Sequence, residues 1–458
     1  QRLAGAQRAS ETFAAVPRPL GMAESNGAEG SSAARGRWNA LAENGRQRRS
    51  KGLEGTVRFR TSFHNVVYDV FRARAWKETD SDVDWDVCWA DTGWIRENFD
   101  SMRFSEHQRI NHFRNHYELT RKDSMIKNLK RAQRALLREG LEEEAAKYDF
   151  SPTTYVLPTD YGLFVEEFKN QRVGAFWIMK PIGGAQGKGI FLFNKLSQIA
   201  DWKKDHRWKA DNPQAESYVV QRYIENPMLI GGKKFDLRLY ALVTSYTPLQ
   251  VYIYRNGFAR FSSFRYNSNA KNIGDSYVHL TNAAVQKTAP GFDKAAGCKW
   301  GLRNLKLYLI GKYGAARTDQ LFREIEEVVI YSLLAVQKVM INDKHCFEMY
   351  GYDVMIDDNL KPWLIEVNSS PSITADTPTD YELKFGLLDD VYTIIDVEGK
   401  LGGAVEPVVG GFDLVYNNGP VKPDKAACYS TRLGCYEDRV RQLKKLHKHH
   451  AKRAAGGA

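Results

Sequence analysis

The sequence predicts a mixed protein of the α+β or α/β class, and three observations support this. Residues 150 to 245 alternate strand-like apolar blocks with loops. Two helical patterns follow, WGLRNLKLYLIGKYG and TDQLFREIEEVVIYSLLAVQKVM. A glycine-rich loop lies within the strand-like region. With 458 residues, of which 43% are hydrophobic, the chain is long enough for two or three domains with substantial cores.

The order of elements along the chain suggests its domains. The first part is rich in Gly, Ala, Ser and Arg and buries too little apolar surface to become ordered. Patterned sequence then begins, with a strand at WDVCW. The stretch ELTRKDSMIKNLKRAQRALLREGLEEEAAK places Met125, Leu129 and Leu136 at helical spacing, with Asp123 and Ser124 as N-cap candidates. The predicted parts are a disordered basic head at 1–54, an N-terminal domain at 55–117, a central domain at 118–225, a C-terminal domain at 226–400, and an extended segment with a basic tail at 401–458.

Charge and cysteine content limit the possible partners and compartment. The net charge of +11 indicates a polyanionic partner, such as nucleic acid, anionic lipid or an acidic protein surface. No run of 18 uncharged apolar residues appears and QRLAGAQRASETF has no hydrophobic core, so neither a membrane span nor a secretory signal is expected. Five cysteines without C-x-x-C spacing favour a reducing compartment without structural zinc.

The glycine-rich loop KPIGGAQGKGIFLF suggests phosphate binding. A Walker A loop requires Ser or Thr after its lysine, but Gly189 follows Lys188. The spacing does not fit a kinase glycine loop, and a Rossmann loop must open a helix rather than the apolar strand IFLF. What remains is a strand–loop–strand arrangement. Two interpretations stay open, a phosphate loop and a lysine-flanked glycine hairpin on a basic surface.

The segment KKFDLRLYALV reads as a strand with one charged face. Because strand side chains alternate, Lys234, Asp236, Arg238 and Tyr240 share one face and Phe235 begins the other. Such a face suits a functional site. The alternative is a solvated edge strand.

The segment YGYDVMIDDNLKPWLIEVNSSPS reads as a β-hairpin with a turn at DNLK, Asp358 to Lys361. Centring the turn there pairs Asp357 with Pro362 and places Asp353 opposite Glu366. Asn368 then lies on the same face. Two facing carboxylates repel each other unless a cation lies between them, and carboxylate and amide oxygens suit Mg²⁺. The alternative is a pair of exposed acids.

Two further segments are uninformative alone. HLTNAAVQK gathers a histidine, a hydroxyl and an amide, as a polar turn also does. VVQRYIENP is an apolar strand running into a polar turn, a hinge able to present backbone groups to a base edge.

Taken in order, these motifs resemble the tubulin tyrosine ligase-like family, whose members have the ATP-grasp fold with N-terminal, central and C-terminal domains. The matching motifs are ELTRKDSMIKNLKR, WIMKPIGGAQGKGI, QRYIENPMLIGGKKFDLRLY, YVHLTNAAVQK and FEMYGYDVMIDDNLKPWLIEVNSSPS, within about residues 56 to 421. The tracts RINHFRNHYELTRKDSMIKNLKR and GGFDLVYNNGPV are most similar to a cilia-associated member grouped with the polyglutamylases.

The resemblance implies an ATP- and Mg²⁺-dependent ligase that adds free glutamate to glutamate side chains in the acidic C-terminal tails of tubulin. ATP would first convert the acceptor carboxylate into an acyl phosphate. A glycylase or tyrosine ligase of the same fold, or a non-catalytic microtubule scaffold, remain alternatives. Nucleic-acid binding is disfavoured because the aromatics lie in core-like runs such as FWIM and VYIY.

The resemblance also assigns roles by position. The catalytic residues would be Lys180, Arg238 and Asn282. The nucleotide-contacting residues would be Lys122, Lys180, Gln186, Gly187, Lys188, Gly189, Gln221, Arg222, Tyr223, Ile224, Lys234, Asp236, Arg260, His279, Thr281 and Asn282. The Mg²⁺ ligands would be Asp353, Glu366 and Asn368.

An acidic substrate would explain the net positive charge of the chain. The cluster Lys127, Lys130, Arg131 and Arg134 and the tail RVRQLKKLHKHHAKR would steer tubulin tails, although a solvated helix face explains the cluster equally well. The tail histidines fit a solvated basic tail better than a metal site. The expected location is the cytoplasm and cytoskeleton, at a ciliary or flagellar axoneme or basal body, and accessory subunits remain open.

Overall fold

A computed structural model describes residues 56–172, 174–184, 187–199, 217–268, 273–292, 298–422, 429–436 and 438–456. The predicted disordered head lies outside the described residues. Helices combine with three β-sheets, as the mixed class predicted. Among the described residues, no helix has both the length and the apolar character needed to cross a membrane.

The first sheet is a small parallel one near the N-terminus. Its strands, in the order β2-β1-β3-β4, are β1 (Arg58–Thr61), β2 (Lys77–Glu78), β3 (Val87–Trp89) and β4 (Arg109–Ile110). Helices α1 (Val66–Ala73) and α2 (Thr92–Asn98) lie between these strands in the chain, and a 3₁₀ turn (Phe99–Ser101) follows α2. The strand predicted at WDVCW corresponds to β3.

The long helix predicted from ELTRKD to EEEAAK is three helices, α3 (Tyr117–Thr120), α4 (Lys122–Arg138) and α5 (Glu142–Ala146). Arg121 is extended and separates the first two. Gly140, at φ +70°, separates α4 from α5 because this left-handed conformation ends a helix. The predicted caps are wrong, since α4 already begins at Lys122; Asp123 instead pairs with Arg121 at 2.8 Å.

The second sheet is antiparallel and carries the glycine-rich loop. Its strands, in the order β5-β8-β6-β7, are β5 (Thr154–Leu157), β6 (Trp177–Pro181), β7 (Phe191–Phe193) and β8 (Tyr218–Arg222). Helix α6 (Tyr161–Asn170) packs Phe164 against Trp177 and Phe193. The short helix predicted at LSQIADWKK is a 3₁₀ turn (Leu196–Ile199) as far as it is described.

The third sheet has nine strands, with β10 at its centre. β10 pairs with β9, β11, β12 and β14, and β14 also pairs with β15. These strands are β9 (Leu229–Ile230), β10 (Lys233–Tyr246), β11 (Leu249–Tyr254), β12 (Phe258–Phe261), β13 (Lys299–Gly301), β14 (Glu348–Ile356), β15 (Pro362–Asn368), β16 (Val408–Val409) and β17 (Phe412–Asn417). Because β10 is a central strand, the edge-strand interpretation is wrong.

Helices cover the two faces of this sheet. Phe235, Leu237 and Leu239 of β10 share a core with the predicted helices, α9 (Leu302–Tyr313) and α10 (Ala315–Gln337). Further along β10, Tyr240 packs with α1 and α11 (Pro378–Ile394). Two single-turn helices, α7 (Ser276–His279) and α8 (Ala283–Gln286), flank the HLTN motif.

The basic tail forms helix α12 (Arg439–Gly456), which lies against the body of the protein. Arg439 donates from Nε to the buried Asp390 at 2.8 Å, Leu446 is buried, and His450 pairs with Glu406 at 2.8 Å. The expectation of an extended, solvated segment after residue 401 therefore needs correction: β17 joins the large sheet, and α12 has an apolar side that its alternating basic residues concealed.

Candidate active site

A cleft of about 740 Å³, including its opening to solvent, lies between the second and third sheets. It gathers most of the side chains that the sequence assigned to a site. The predicted residues that line it are Lys122, Lys180, Gly187, Gln221, Arg222, Tyr223, Ile224, Lys234, Asp236, His279, Thr281, Asn282, Asp353 and Glu366.

The remaining predicted residues that the structure describes do not line the cleft. Arg238 and Arg260 lie next to it, bonded to acids that line it, and Asn368 lies two residues beyond Glu366. Lys188 and Gly189 are exposed at the far side of the glycine-rich loop. Gln186 lies outside the described residues.

Two buried lysines project into the cleft from different sheets. Lys180 on β6 donates to Oε1 of Gln221 at 2.8 Å. Lys234 on β10 donates to the hydroxyl of Tyr223 at 2.8 Å and to the carbonyl of His279 at 3.0 Å. Burial lowers the pKa of Lys180 to about 8 and that of Lys234 to about 7. A bound anion would stabilise the charged form of these amines, because it replaces the hydration that they lost on burial.

The glycine-rich loop joins β6 to β7 as a strand–loop–strand, as its pattern predicted. Gly187 adopts φ +80°, and a Cβ there would lie 3.0 Å from Val285 Cγ2. The loop therefore packs against the HLTN segment, and only glycine fits this conformation without strain. Lys122 Nζ donates to the carbonyl of Gly184 at 3.4 Å, which links the loop to helix α4.

Apolar side chains complete the cleft, and sequence reasoning missed them. They are Ile178, Ile190, Leu280, Met355 and Ile365. Strand alternation could have identified two of these residues. Ile178 lies two residues before Lys180 and Met355 two residues after Asp353, so each shares a face of its strand with a predicted residue. An apolar wall beside buried cations suits a ligand with a flat ring and a charged tail.

A row of alternating charges crosses the floor of the site. Asp353 accepts from Arg238 Nε at 2.6 Å and pairs with Arg260 at 2.9 Å, and Arg260 Nε donates to Asp236 at 2.8 Å. Burial alone would raise the pKa of Asp353, but the two guanidinium groups outweigh it and hold this pKa well below its ordinary value. Asp353 is therefore ionised at any physiological pH.

The hairpin brings the predicted metal ligands together. Asp353 pairs with Glu366 and Gly351 with Asn368, as expected. The predicted pairing of Asp357 with Pro362 is wrong, because Ile356 takes that place. The Asp357 carboxylate instead accepts from the backbone of Asn359 and Lys361, which widens the turn, and a bulge between Asp353 and Val354 restores the register.

The donor set fits a hard cation. Asp353 and Glu366 supply carboxylate oxygens from neighbouring strands. The side-chain N–H of Asn368 donates to the carbonyl of Gly351 at 3.3 Å. This bond uses the amide nitrogen, so the amide oxygen can serve as a ligand. Mg²⁺ typically takes one or two carboxylates and keeps several waters. No cluster of three or more His, Cys, Asp or Glu residues suited to a metal occurs in the described ranges, and two carboxylates plus an amide do not require one.

The mixed fold and the polar cleft define an enzyme-like α+β protein, and comparisons with known proteins identify its family. Residues 100–401 match the Tubulin-tyrosine ligase family. The chain belongs to this family, as its motifs predicted, and is therefore an enzyme of the ligase class.

Relatives from distant organisms share most of the chain. It is 48% identical over 443 residues to the rat protein named "Probable tubulin polyglutamylase TTLL9", covering 88% of this chain and 95% of that one. It is 45% identical over 381 residues to the Caenorhabditis elegans protein "Probable tubulin polyglutamylase ttll-9", covering 83% and 88%. It is 44% identical over 392 residues to the Tetrahymena thermophila protein "Probable alpha-tubulin polyglutamylase Ttll1", covering 80% and 94%.

Proposed function

We propose that this chain is an ATP-dependent ligase that adds free glutamate to glutamate side chains in the acidic C-terminal tails of tubulin, on axonemal microtubules. The observation that carries the proposal is the convergence of two buried lysines and a carboxylate-bearing hairpin in one cleft. The polyglutamylase names of relatives similar along most of the chain support the choice of substrate.

The nucleotide would bind along the cleft. The backbone of Tyr223 and Ile224, next to the apolar wall, suits the adenine ring. Lys180 and Lys234 would hold the phosphates, Lys122 and the loop at Gly187 would cover them, and Asn282 and its neighbours would contact them from the HLTN motif. Asp353, Glu366 and Asn368 would hold Mg²⁺, which when bound neutralises charge on the phosphate oxygens.

The proposed reaction has two steps. A carboxylate oxygen of the acceptor glutamate forms a bond to the γ-phosphorus, the bond to the β–γ bridging oxygen breaks, and ADP leaves. The amine of free glutamate then attacks the acyl carbon, the carbon–oxygen bond to phosphate breaks, and an amide forms. Arg238 would orient the acyl phosphate, and fixed cations would supply most of the electrostatic stabilisation.

Surface charge favours an acidic protein substrate. Lys127, Arg131 and Arg134 are exposed on α4. Lys130 is different, because it donates to the carbonyl of Thr154 at 2.6 Å and so supports the second sheet instead. The outer side of α12 adds further exposed lysines and arginines. Both surfaces attract a disordered acidic tail through long-range fields. Accessory subunits and a location at the axoneme or basal body belong to the same proposal.

Amino-acid incorporation into microtubules tests the proposal. Labelled glutamate, glycine and tyrosine are offered in parallel with ATP and Mg²⁺. We expect glutamate to be incorporated by the wild type and not by Glu366→Gln, while Glu382→Gln, which changes an exposed acid, keeps full activity. Incorporation of glycine or tyrosine instead would correct the substrate. If no amino acid is incorporated, either an accessory subunit is missing or the chain is a scaffold, and ATP binding to the isolated chain separates the two: binding favours a missing subunit, and no binding favours a scaffold with a degenerate site.

A further inference from the structure

A buried acid–imidazole pair lies behind the hairpin, outside the cleft. Nδ1–H of His112 donates to Oε1 of Glu348 at 2.8 Å, and the side chains are 2% and 0% exposed. Glu348 also accepts from the backbone of Phe113 at 3.1 Å and from the hydroxyl of Tyr350 at 3.1 Å. Within the described part of the chain Glu348 has no lysine or arginine partner. The hydrogen bond to Glu348 fixes the orientation of the imidazole ring.

The other nitrogen of His112 faces a serine on the surface. Its Nε2 lies 3.4 Å from Oγ of Ser370, which is exposed. Nδ1 keeps its proton and donates it to the carboxylate in a hydrogen bond. Nε2 therefore carries the lone pair and accepts a hydrogen bond from the serine hydroxyl. The result is an exposed hydroxyl, a buried imidazole and a buried carboxylate in line, an arrangement that transfers protons in many enzymes.

Ser370 lies close to the proposed reaction centre. It follows Asn368 by two residues and precedes Pro371. A Cβ on Gly351 would lie 2.7 Å from the Cβ of Pro371 and 3.5 Å from Cδ of Arg238. The segment that carries Ser370 therefore packs against Gly351, which neighbours Arg238, the residue to which the proposed function assigns the acyl phosphate.

Amide formation needs a proton acceptor at this end. The amino group of a free amino acid is protonated at neutral pH and has no lone pair with which to attack. We propose that Ser370, supported by His112 and Glu348, takes the proton from the amino group of the incoming amino acid. This inference rests on the proposed function, whose ligase step it completes.

Each proton and electron pair in this step has a donor and an acceptor. A proton passes from the ammonium nitrogen to Ser370 Oγ, and the electron pair of that N–H bond stays on nitrogen. The serine's own proton passes to His112 Nε2, and Glu348 stabilises the imidazolium. The amine then attacks the acyl carbon, phosphate leaves with the electron pair of the broken carbon–oxygen bond, and the second amine proton goes to phosphate. His112 returns its proton to solvent.

The surroundings of His112 suit this role. Glu348 contacts the imidazole directly, and the hydroxyl of Tyr350 donates to Glu348. The ring of His116 lies 5.5 Å away, and burial lowers the pKa of His116, so it stays neutral. Among the described residues, His112 forms no contact with a lysine or arginine that would compete with Glu348. Ser370 is the catalytic residue in this scheme, and His112 and Glu348 are positioning residues.

The test compares Ser370→Ala and His112→Gln with the wild type, using microtubules, ATP, Mg²⁺ and either glutamate or hydroxylamine. Hydroxylamine is uncharged at neutral pH, so it attacks an acyl phosphate without losing a proton first. We expect each variant to lose about 10²-fold or more in glutamate incorporation, the usual size of a general-base contribution, while hydroxamate forms at nearly the wild-type rate. The glutamate rates of the variants should recover as pH rises. Ser369→Ala is the matched control, because in the described structure this neighbouring hydroxyl has no bond to His112.

Each outcome decides the proposal. Selective loss with glutamate, rescue by hydroxylamine and an unaffected Ser369→Ala support the relay. Equal losses with both nucleophiles mean that Ser370 only shapes the segment, and they overturn the relay while leaving the ligase function intact. Unchanged glutamate rates in both variants also overturn it. A wild type that uses neither nucleophile overturns the proposed function, and the relay with it.

Discussion

Replacing Lys234 with methionine should stabilise the protein while removing nucleotide affinity. Lys234 is 2% exposed, and its ammonium group donates to Tyr223 and His279, with no acid in direct contact among the residues that the structure describes. Its Nζ lies 4.4 Å from the centre of the Tyr223 ring. Burial lowers its pKa from 10.5 to about 7, so the folded protein disfavours the charged form that the unfolded chain accepts freely.

The size of the effect follows from linkage. Each unit of pKa corresponds to about 1.4 kcal/mol, so a pKa near 7 instead of 10.5 lowers the free energy of unfolding by about 5 kcal/mol at pH 6. At that pH both states are charged and the penalty is complete. Above pH 7 the folded state has released its proton while the unfolded state still holds one, so the penalty decreases to about 2 kcal/mol at pH 9. Methionine removes this penalty and loses two hydrogen bonds worth about 1 kcal/mol each.

Denaturant unfolding of the wild type and Lys234→Met at pH 6 and pH 9 measures the difference. We expect the variant to be more stable by about 3 kcal/mol at pH 6, and the gap between the two proteins to decrease by about 3 kcal/mol at pH 9. Lys344→Met, which removes a lysine from an exposed pair with Glu106, is the control and should show no such pH dependence. A constant gap between the two pH values would refute the claim that burial depresses this pKa.

Three further predictions concern binding, packing and the surface. Because the pKa of Lys180 is about 8, the affinity for an ATP analogue should fall as pH rises above 8, and calorimetry with Lys180→Met should show a weaker and flatter profile. Gly351→Ala should lower the free energy of unfolding by about 1–3 kcal/mol and reduce ligase activity, since the added Cβ would lie only 2.7 Å from the Cβ of Pro371. Gly311→Ala, on a helix and facing open space, should instead stabilise by about 0.5–1 kcal/mol in the same denaturation assay. Replacing the exposed Lys444 and Lys448 of α12 with glutamate should weaken microtubule co-sedimentation at low salt and have little effect at high salt. A variant that binds microtubules as well as the wild type at low salt would show that α12 is not the contact.

The local chemistry of the site was predictable where a single strand or turn encodes it. Alternation placed Lys234, Asp236 and Arg238 on one face of β10, and centring the predicted turn placed Asp353 opposite Glu366. The first prediction needed only the period of a strand, whereas the second is correct because the bulge beside Asp353 offsets an error of one residue in the turn. The turn itself was misplaced by one residue, because the side-chain bonds of Asp357 within it leave no mark in the hydrophobic pattern.

Features that depend on several distant segments were not predictable. The pairing of Arg260 with Asp353 joins β12 to β14, and its existence depends on both strands flanking β10. The docking of α12 depends on Asp390, a buried acid with which only the tail's Arg439 forms an ion pair in the described structure. In each case the sequence contains the partners but not the topology that makes them neighbours.

The proposed relay shows why this limit matters for function. His112, Glu348 and Ser370 belong to three segments, so no spacing rule connects them. The structure aligns them because Ile110 of β4 forms a bridge with Cys346, just before β14, and β14 in turn pairs with β15, the strand that leads to Ser370. The same pairing that sets Asp353 against Glu366 therefore also sets the serine against the histidine. A change that shifts this register, such as removal of the bulge beside Asp353, should consequently impair phosphoryl transfer and amine attack together, whereas Ser370→Ala should impair amine attack alone.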